Sequence, residues 1–295
     1  MSALSPALEI RLLVGREMRR CVRSAKGIAL GLVTLLGAVV TSLLVTSIEG
    51  VDRSMAGGST EQFMELKRQA IEHQTGNAAL AAQAANMPVS LKAFLEVTVW
   101  LSPLLIALLG FDAVSGELQH RTVRFWTVRT RRSTYFVAKL LGLWGLVALV
   151  ALAINAIAGG VALSKGYVTG GELLSWGLRF WLVAVVIAGA WAAIAIFISS
   201  CFRTPVVALL TTFATFFVLW VIGFLFANIS RAQTMLQSQA LDVRMRWYEY
   251  LYPNAYESML LSDEPHRPLL GAAILLGFVA CMAAAGSMLF ARRDV

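Results

Sequence analysis

"GFDAVSGELQHRTVRFWTVRTRRSTYF", residues Gly110–Phe136, holds the densest cluster of arginines in the chain, yet lies between two apolar runs. Phe94–Phe111 leads into it and Phe136–Leu163 follows it. A bilayer core needs about 20 consecutive apolar residues in a helix. The quoted stretch is therefore a charged connection between two membrane helices. The fold follows from counting such runs and finding the side on which this connection lies.

Six runs emerge, at about 27–48, 94–111, 136–163, 174–200, 206–228 and 269–290. The whole chain of 295 residues is 58% hydrophobic and 14% charged. Soluble domains are roughly half apolar and a quarter charged, so one polytopic membrane domain over 1–295 explains the balance. The third and fourth runs exceed about 20 residues, so those spans tilt or protrude. The first follows a long basic lead and is longer than a signal-peptide core, so it reads as a retained span. An even count puts both termini on one side.

Basic residues choose that side. Fifteen of the 25 Lys and Arg residues fall in the N-terminal lead, the quoted stretch and its exit, the Cys201–Pro205 turn and the tail. Cytoplasmic ends of spans collect such residues. The reading is a multi-pass membrane protein with cytoplasmic termini, a cytoplasmic loop at 112–135 and loops on the opposite side at 49–93 and 229–268. The net charge of +8 is explained the same way, without nucleic acid, because no soluble base-reading module is visible.

In the first outer loop, Ser59–Gln62 resembles a capping box that opens a helix through His73, and Asn77–Asn86 is helix-prone. In the second, Ser230–Asp242 reads as helical, and Trp247, Tyr248, Tyr250 and Tyr252 cluster before Pro253. Such aromatics form an interfacial belt or, on the sharper reading, contacts at the outer mouth, carried by Trp247, Tyr250 and Tyr252.

Catalytic signatures are missing. The sequence has no HExxH, no GxSxG and no GxxxxGK[ST] phosphate loop. Cys21, Cys201 and Cys281 show no metal-like or paired spacing and read as small apolar fillers. No Asp, Glu, Lys, Arg or His lies well inside a span, which argues against a proton- or sodium-coupled carrier. Asn155, Thr211, Thr212 and Thr215 are left for helix-to-helix hydrogen bonds or a path lining. Gly27 with Gly31, and Gly142 with Gly145, suggest close helix packing.

Within the quoted stretch, Val114, Leu118, Phe125 and Val128 share one helical face, and Glu117 precedes Arg121 by four. The pattern predicts an amphipathic helix over 114–128 along the membrane surface, with Ser133 or Thr134 capping the third span.

The residue order says more than the charge. "DAVSGELQHRTVRFWTVRTRRSTYFVAKLLG" resembles the cytoplasmic loop of ABC-2 type transporter permeases, through Asp112, Ser115, Gly116, Glu117, Thr122, Arg132, Tyr135 and Lys139. Arg121 stands where that family usually has Gly, and Arg129–Arg132 replaces its usual Pro. "REMRRCVRSAKGIAL", with Glu17, resembles its N-terminal elbow. "YLYPNAYESMLL" resembles its Pro- and Tyr-containing segment before the sixth span. "SMLFARRDV" resembles its ending, through Phe290, Arg292, Arg293 and Asp294.

The resemblance implies an all-α membrane protein of six transmembrane helices with an N-terminal amphipathic elbow helix and a cytoplasmic coupling helix between spans 2 and 3. It implies a permease that pairs with a second copy, a homodimer, and joins two separate ATPase subunits of an ATP-driven exporter. ATP and Mg would be held by those subunits, so this chain is no enzyme and binds no cofactor. It implies ATPase-coupling contacts at Gly116, Glu117, Arg121, Thr122 and Arg124, with Glu17 and Arg20 supporting the elbow. The alternative keeps the complex but passes its motion to a periplasmic protein. A membrane enzyme or scaffold without an ATPase is the third reading.

Overall fold

Six helices of the computed structural model are long and apolar enough to cross a membrane. Structure is described for residues 5–55, 60–75, 85–123, 125, 130–236 and 251–292. Among them no strand occurs. That follows from the sequence: lipid offers no hydrogen bonds, so a single-chain apolar run satisfies its backbone as a helix.

The elements run in order. Helix α1 spans Pro6–Arg23, α2 Ala25–Met55, α3 Thr60–Thr75 and α4 Val89–Gly110. Short α5 covers Ser115–Gln119, followed by α6 at Arg132–Ser164, α7 at Gly170–Cys201 and α8 at Pro205–Leu236. A 3-10 turn at Pro253–Tyr256 leads into α9, Glu257–Leu260, and α10, His266–Ala291. The spans α2, α4, α6, α7, α8 and α10 match the six apolar runs and extend them by a turn or more at several ends. Polar residues such as Thr169 and Glu172 begin or close the helices without being apolar. Thr169 and Glu172 form a capping box: each side chain bonds the other's backbone N–H, at 3.3 and 2.8 Å.

A sharp corner joins α1 to α2. The Ser24 hydroxyl donates to the Cys21 carbonyl at 2.7 Å and accepts the Gly27 N–H at 3.0 Å. A Cβ at Gly27 would overlap the Cys21 carbonyl, so this glycine serves the corner. Gly31 meets nothing within 4 Å, so within the chain the Gly27–Gly31 pair brings no helices together.

The chain divides into two compact units, residues 1–27, 101–147 and 185–295 in one, and 28–100 and 148–184 in the other. The second has a core of Ala38, Phe94, Ile154 and Ala158, with Val45, Val150 and Ile157 packed on it. There α3 is tied down by Lys67, whose ammonium donates to the Ala85 and Met87 carbonyls at 2.9 and 2.7 Å. Arg53 bonds Glu49 at 2.8 Å and lies over the rings of Tyr167 and Phe63. Helix α3 bears out the helix expected through His73. Ser59 and residues 77–84 of the helix-prone 77–86 stretch lie outside the described residues.

In the first unit the 229–268 connection is partly helical. Helix α8 runs on to Leu236, so the expected Ser230–Asp242 helix is in part its continuation. Further along, Tyr252 packs against Gly223, where a Cβ would come within 2.6 Å of its ring. Trp191 meets Phe216 and Tyr252 edge-on at 4.6 and 5.9 Å. Its indole N–H donates to the Asn254 side chain at 2.8 Å. Trp191 lies ten residues before the end of α7 and Phe216 eleven after the start of α8. At 1.5 Å per residue both sit about 15 Å from that end of their helices. The start of the Tyr252–Leu261 segment therefore packs against the sides of α7 and α8. Its irregular backbone is tolerated because Tyr252, Pro253, Tyr256 and Leu260 are buried in protein. Tyr252 is thus a packing residue here. Trp247 and Tyr250 lie outside the described residues.

Candidate coupling site

The quoted charged stretch does not form one helix over 114–128. Helix α5 stops at Gln119, and Arg121 takes a left-handed φ of 55°. The Thr122 N–H then donates to the Glu117 carbonyl at 3.0 Å and the Arg121 N–H to the Leu118 carbonyl at 3.2 Å. These two bonds are a Schellman ending, with Arg121 in the place glycine normally fills. The expected apolar face is split as a result. Val114 is fully buried, whereas Phe125 is 72% exposed. Val128 and Arg124 lie outside the described residues. Helix α6 begins at Arg132, so Ser133 and Thr134 sit in its first turn and do not cap it.

Ser199 of α7 holds the corner between α4 and α5. Its hydroxyl accepts the Val114 and Ser115 N–H groups, each at 3.1 Å, and donates to the Phe111 carbonyl at 2.7 Å. One side chain thus closes three backbone groups that the break in the helix leaves over.

Glu117 is turned inward. It is 4% exposed, and its neighbour Lys139 is 3% exposed. Lys139 Nζ lies 2.6 Å from Glu117 Oε1 and 2.8 Å from Glu17 Oε1. The Tyr135 hydroxyl donates to Glu117 Oε2 at 2.6 Å, and Arg20 pairs with Glu117 Oε1. Two carboxylates and Lys139, all buried, thus meet the half-exposed Arg20 in one cluster drawn from α1, α5 and α6. Each charge has its opposite, which is what makes burial of ions tolerable. A second pair, Lys26 with Asp112, joins the start of α2 to the corner before α5. Burial works against the Arg20 charge, but Glu117 and Glu17 outweigh it and hold the guanidinium above its ordinary range. Burial, then the Glu17 charge, push the Cys21 thiol up, which leaves it a poor nucleophile.

Space around the cluster is set by small residues. A Cβ at Gly142 would come within 2.8 Å of Glu17, and one at Gly145 would touch Met18 at 3.6 Å. The two glycines of α6 are where α1 lies against it. At Gly116 a Cβ would meet only Asp112 at 3.5 Å, so space there does not demand glycine. The tail completes the site: Phe290 is fully buried and stacks on Tyr135 at 5.5 Å, and Arg132 donates to the Ala291 carbonyl at 2.8 Å.

Ion pairs and side-chain caps hold this corner together. Among the described residues no three His, Cys, Asp or Glu side chains gather as a metal site. Helix α1, the short α5 and the starts of α2 and α6 are tied together by ion pairs. Residues 11–295 match the family model described as ABC-2 family transporter protein.

The chain belongs to the ABC-2 transporter family.

It is a membrane permease of an ABC transporter, a multi-pass membrane component and not itself a catalyst; the family implies an ABC ATPase as partner. Comparison with curated proteins gives no match. Of the permease residues named from sequence, Glu17, Arg20 and Glu117 meet in the cluster, whereas Arg121 and Thr122 form the turn beside it. Lys139 and Tyr135 were visible as motif residues but not as site residues. Their spacing of four on one helix face, beside a conspicuous Glu, was the available signal. Ser199 gave no signal, because a serine in an apolar run has many uses.

Proposed function

We propose that this permease is the membrane subunit of an ATP-driven exporter in a bacterial inner membrane, with both termini cytoplasmic. It works as a homodimer with two ATPase copies, which hold the ATP and Mg. The concentration of Lys and Arg at one set of helix ends supports the orientation. The inward ion cluster supports the reading: it ties Glu117 of α5 to α1 and α6, as a coupling element must be fixed. Gln119, His120, Arg121 and Phe125 then stand exposed beside it as the face offered to the ATPase. Glu117 acts as the anchor of that face, and Gly116 and Thr122 shape it.

The test separates anchor from face. Phe125→Ala removes an exposed side chain and should lower ATP-dependent activity with the permease still folded. Normal ATPase coupling and copurification in Phe125→Ala would count against this face. Glu117→Arg is a poorer probe, because it crowds three cations around a buried point.

A second reading, transmission of motion to a periplasmic protein, has one observation in its favour. Helix α3 is pinned by Lys67 and flanked by the Arg53 stack, which gives the first outer loop a built platform. Deleting 60–75 would abolish binding of such a protein while ATPase coupling persists; an altered substrate range instead would support export.

A further inference from the structure

One face of α1 is basic and meets the ion cluster through Arg20 alone. Arg16, Arg19, Arg20 and Arg23 follow one another at helical spacing and line an open cleft of about 480 Å³. Leu8 and Leu12 continue this face toward the N-terminus, and Leu12 is 57% exposed. The opposite face, with Leu13 and Glu17, is buried. Arg20 reaches from the cleft to Glu117, so it belongs to both.

We propose that this cleft binds the phosphate headgroup of an anionic phospholipid, with the acyl chains running along Leu12 and Leu8. Guanidinium groups offer paired donors that match phosphate oxygens. Basic clusters next to a membrane span attract anionic lipid, and α1 ends two residues before the first span begins. The two leucines decide among phosphate sources. A free phosphate would leave them in water, whereas a lipid covers guanidinium and leucine together. Because Arg20 lines the cleft, a bound headgroup sits against the ion cluster that anchors the coupling segment. The proposal concerns lipid alone and stands whether or not the ATPase reading holds.

The experiment uses the full chain, delipidated in mild detergent, and native mass spectrometry. Phosphatidylglycerol and phosphatidylcholine with the same acyl chains are titrated in turn. Phosphatidylglycerol should bind far more tightly. With about 1 kcal/mol per arginine at such a surface, the triple variant Arg16→Gln/Arg19→Gln/Arg23→Gln should lose roughly 100-fold. Single variants Arg19→Gln and Arg23→Gln should lose about fivefold each, which keeps the test open should the triple variant not fold. Arg267→Gln, near the start of the last span, should bind as the parent does. Equal binding of the two lipids would overturn the proposal, as would unchanged binding in the folded arginine variants. Displacement of phosphatidylglycerol by inorganic phosphate alone would show an anion site without lipid recognition. Undiminished lipid binding with loss of a copurified protein would assign the cleft to that protein instead.

Discussion

Lys139 shows how much one residue holds. It is the cation between Glu17 and Glu117, all three nearly closed to solvent. Removing one partner of a buried ion set leaves a charge without compensation and costs about 3–5 kcal/mol. Lys139→Met should therefore lower the thermal unfolding midpoint of the purified permease in detergent sharply. The double variant Lys139→Met/Glu17→Gln should recover part of the loss, since it removes a carboxylate with the cation. An unchanged midpoint in Lys139→Met would mean the cluster contributes nothing. Arg121 makes a smaller, opposite case. A left-handed residue with a Cβ costs about 1–2 kcal/mol, so Arg121→Gly should keep or raise stability in the same assay. Arg121→Val should lower it, because a β-branched side chain fits that backbone worst.

At the scale of elements, the Tyr252–Leu261 turn depends on a few polar contacts in an apolar setting. Asn254→Ala would leave the Trp191 indole N–H buried without its acceptor, at a cost of about 1–3 kcal/mol. Trp191→Phe in the same chain should restore most of it, and a double-mutant cycle on unfolding midpoints checks the pair. Helix α3 carries a pH signature. Burial, ahead of nearby cations and against the pull of Glu49, lowers Lys67 from 10.5 to about 8. Between those values the unfolded chain binds more protons than the native one, so stability rises with pH there. Below about 8 the cost of the buried charge is fully present. A pH series of unfolding midpoints should show a rise above 8 that Lys67→Met removes. A flat profile in the parent would contradict the assignment.

For the whole molecule, what could be read from sequence followed the strength of the physical signal. Six apolar runs gave six spans because hydrocarbon leaves a backbone no other choice. The charged segment between α4 and α6 was legible as a connection, but its shape was not. Periodicity over 114–128 favoured a helix, and the Schellman ending at Arg121 overrode it, in a position where the sequence shows no glycine. The packing of Tyr252 against Trp191 and Gly223 was hidden because an aromatic cluster before a proline looks the same in sequence whether it is exposed or buried. The ion cluster was half visible: Glu17, Glu117 and Lys139 each stood out in a motif, but their meeting is long-range in sequence. The glycines were legible at Gly142 and Gly145 and misread at Gly27, whose role is a corner.

The central claim is that the exposed turn beside the ion cluster meets an ATPase. The most direct measurement places a photo-crosslinking amino acid at Phe125, irradiates native membranes, purifies the permease in mild detergent and identifies what is attached. The account predicts a stoichiometric ABC ATPase crosslinked from position 125 and none from Leu66 of α3. No ATPase at 125, with the permease folded and abundant, would contradict it.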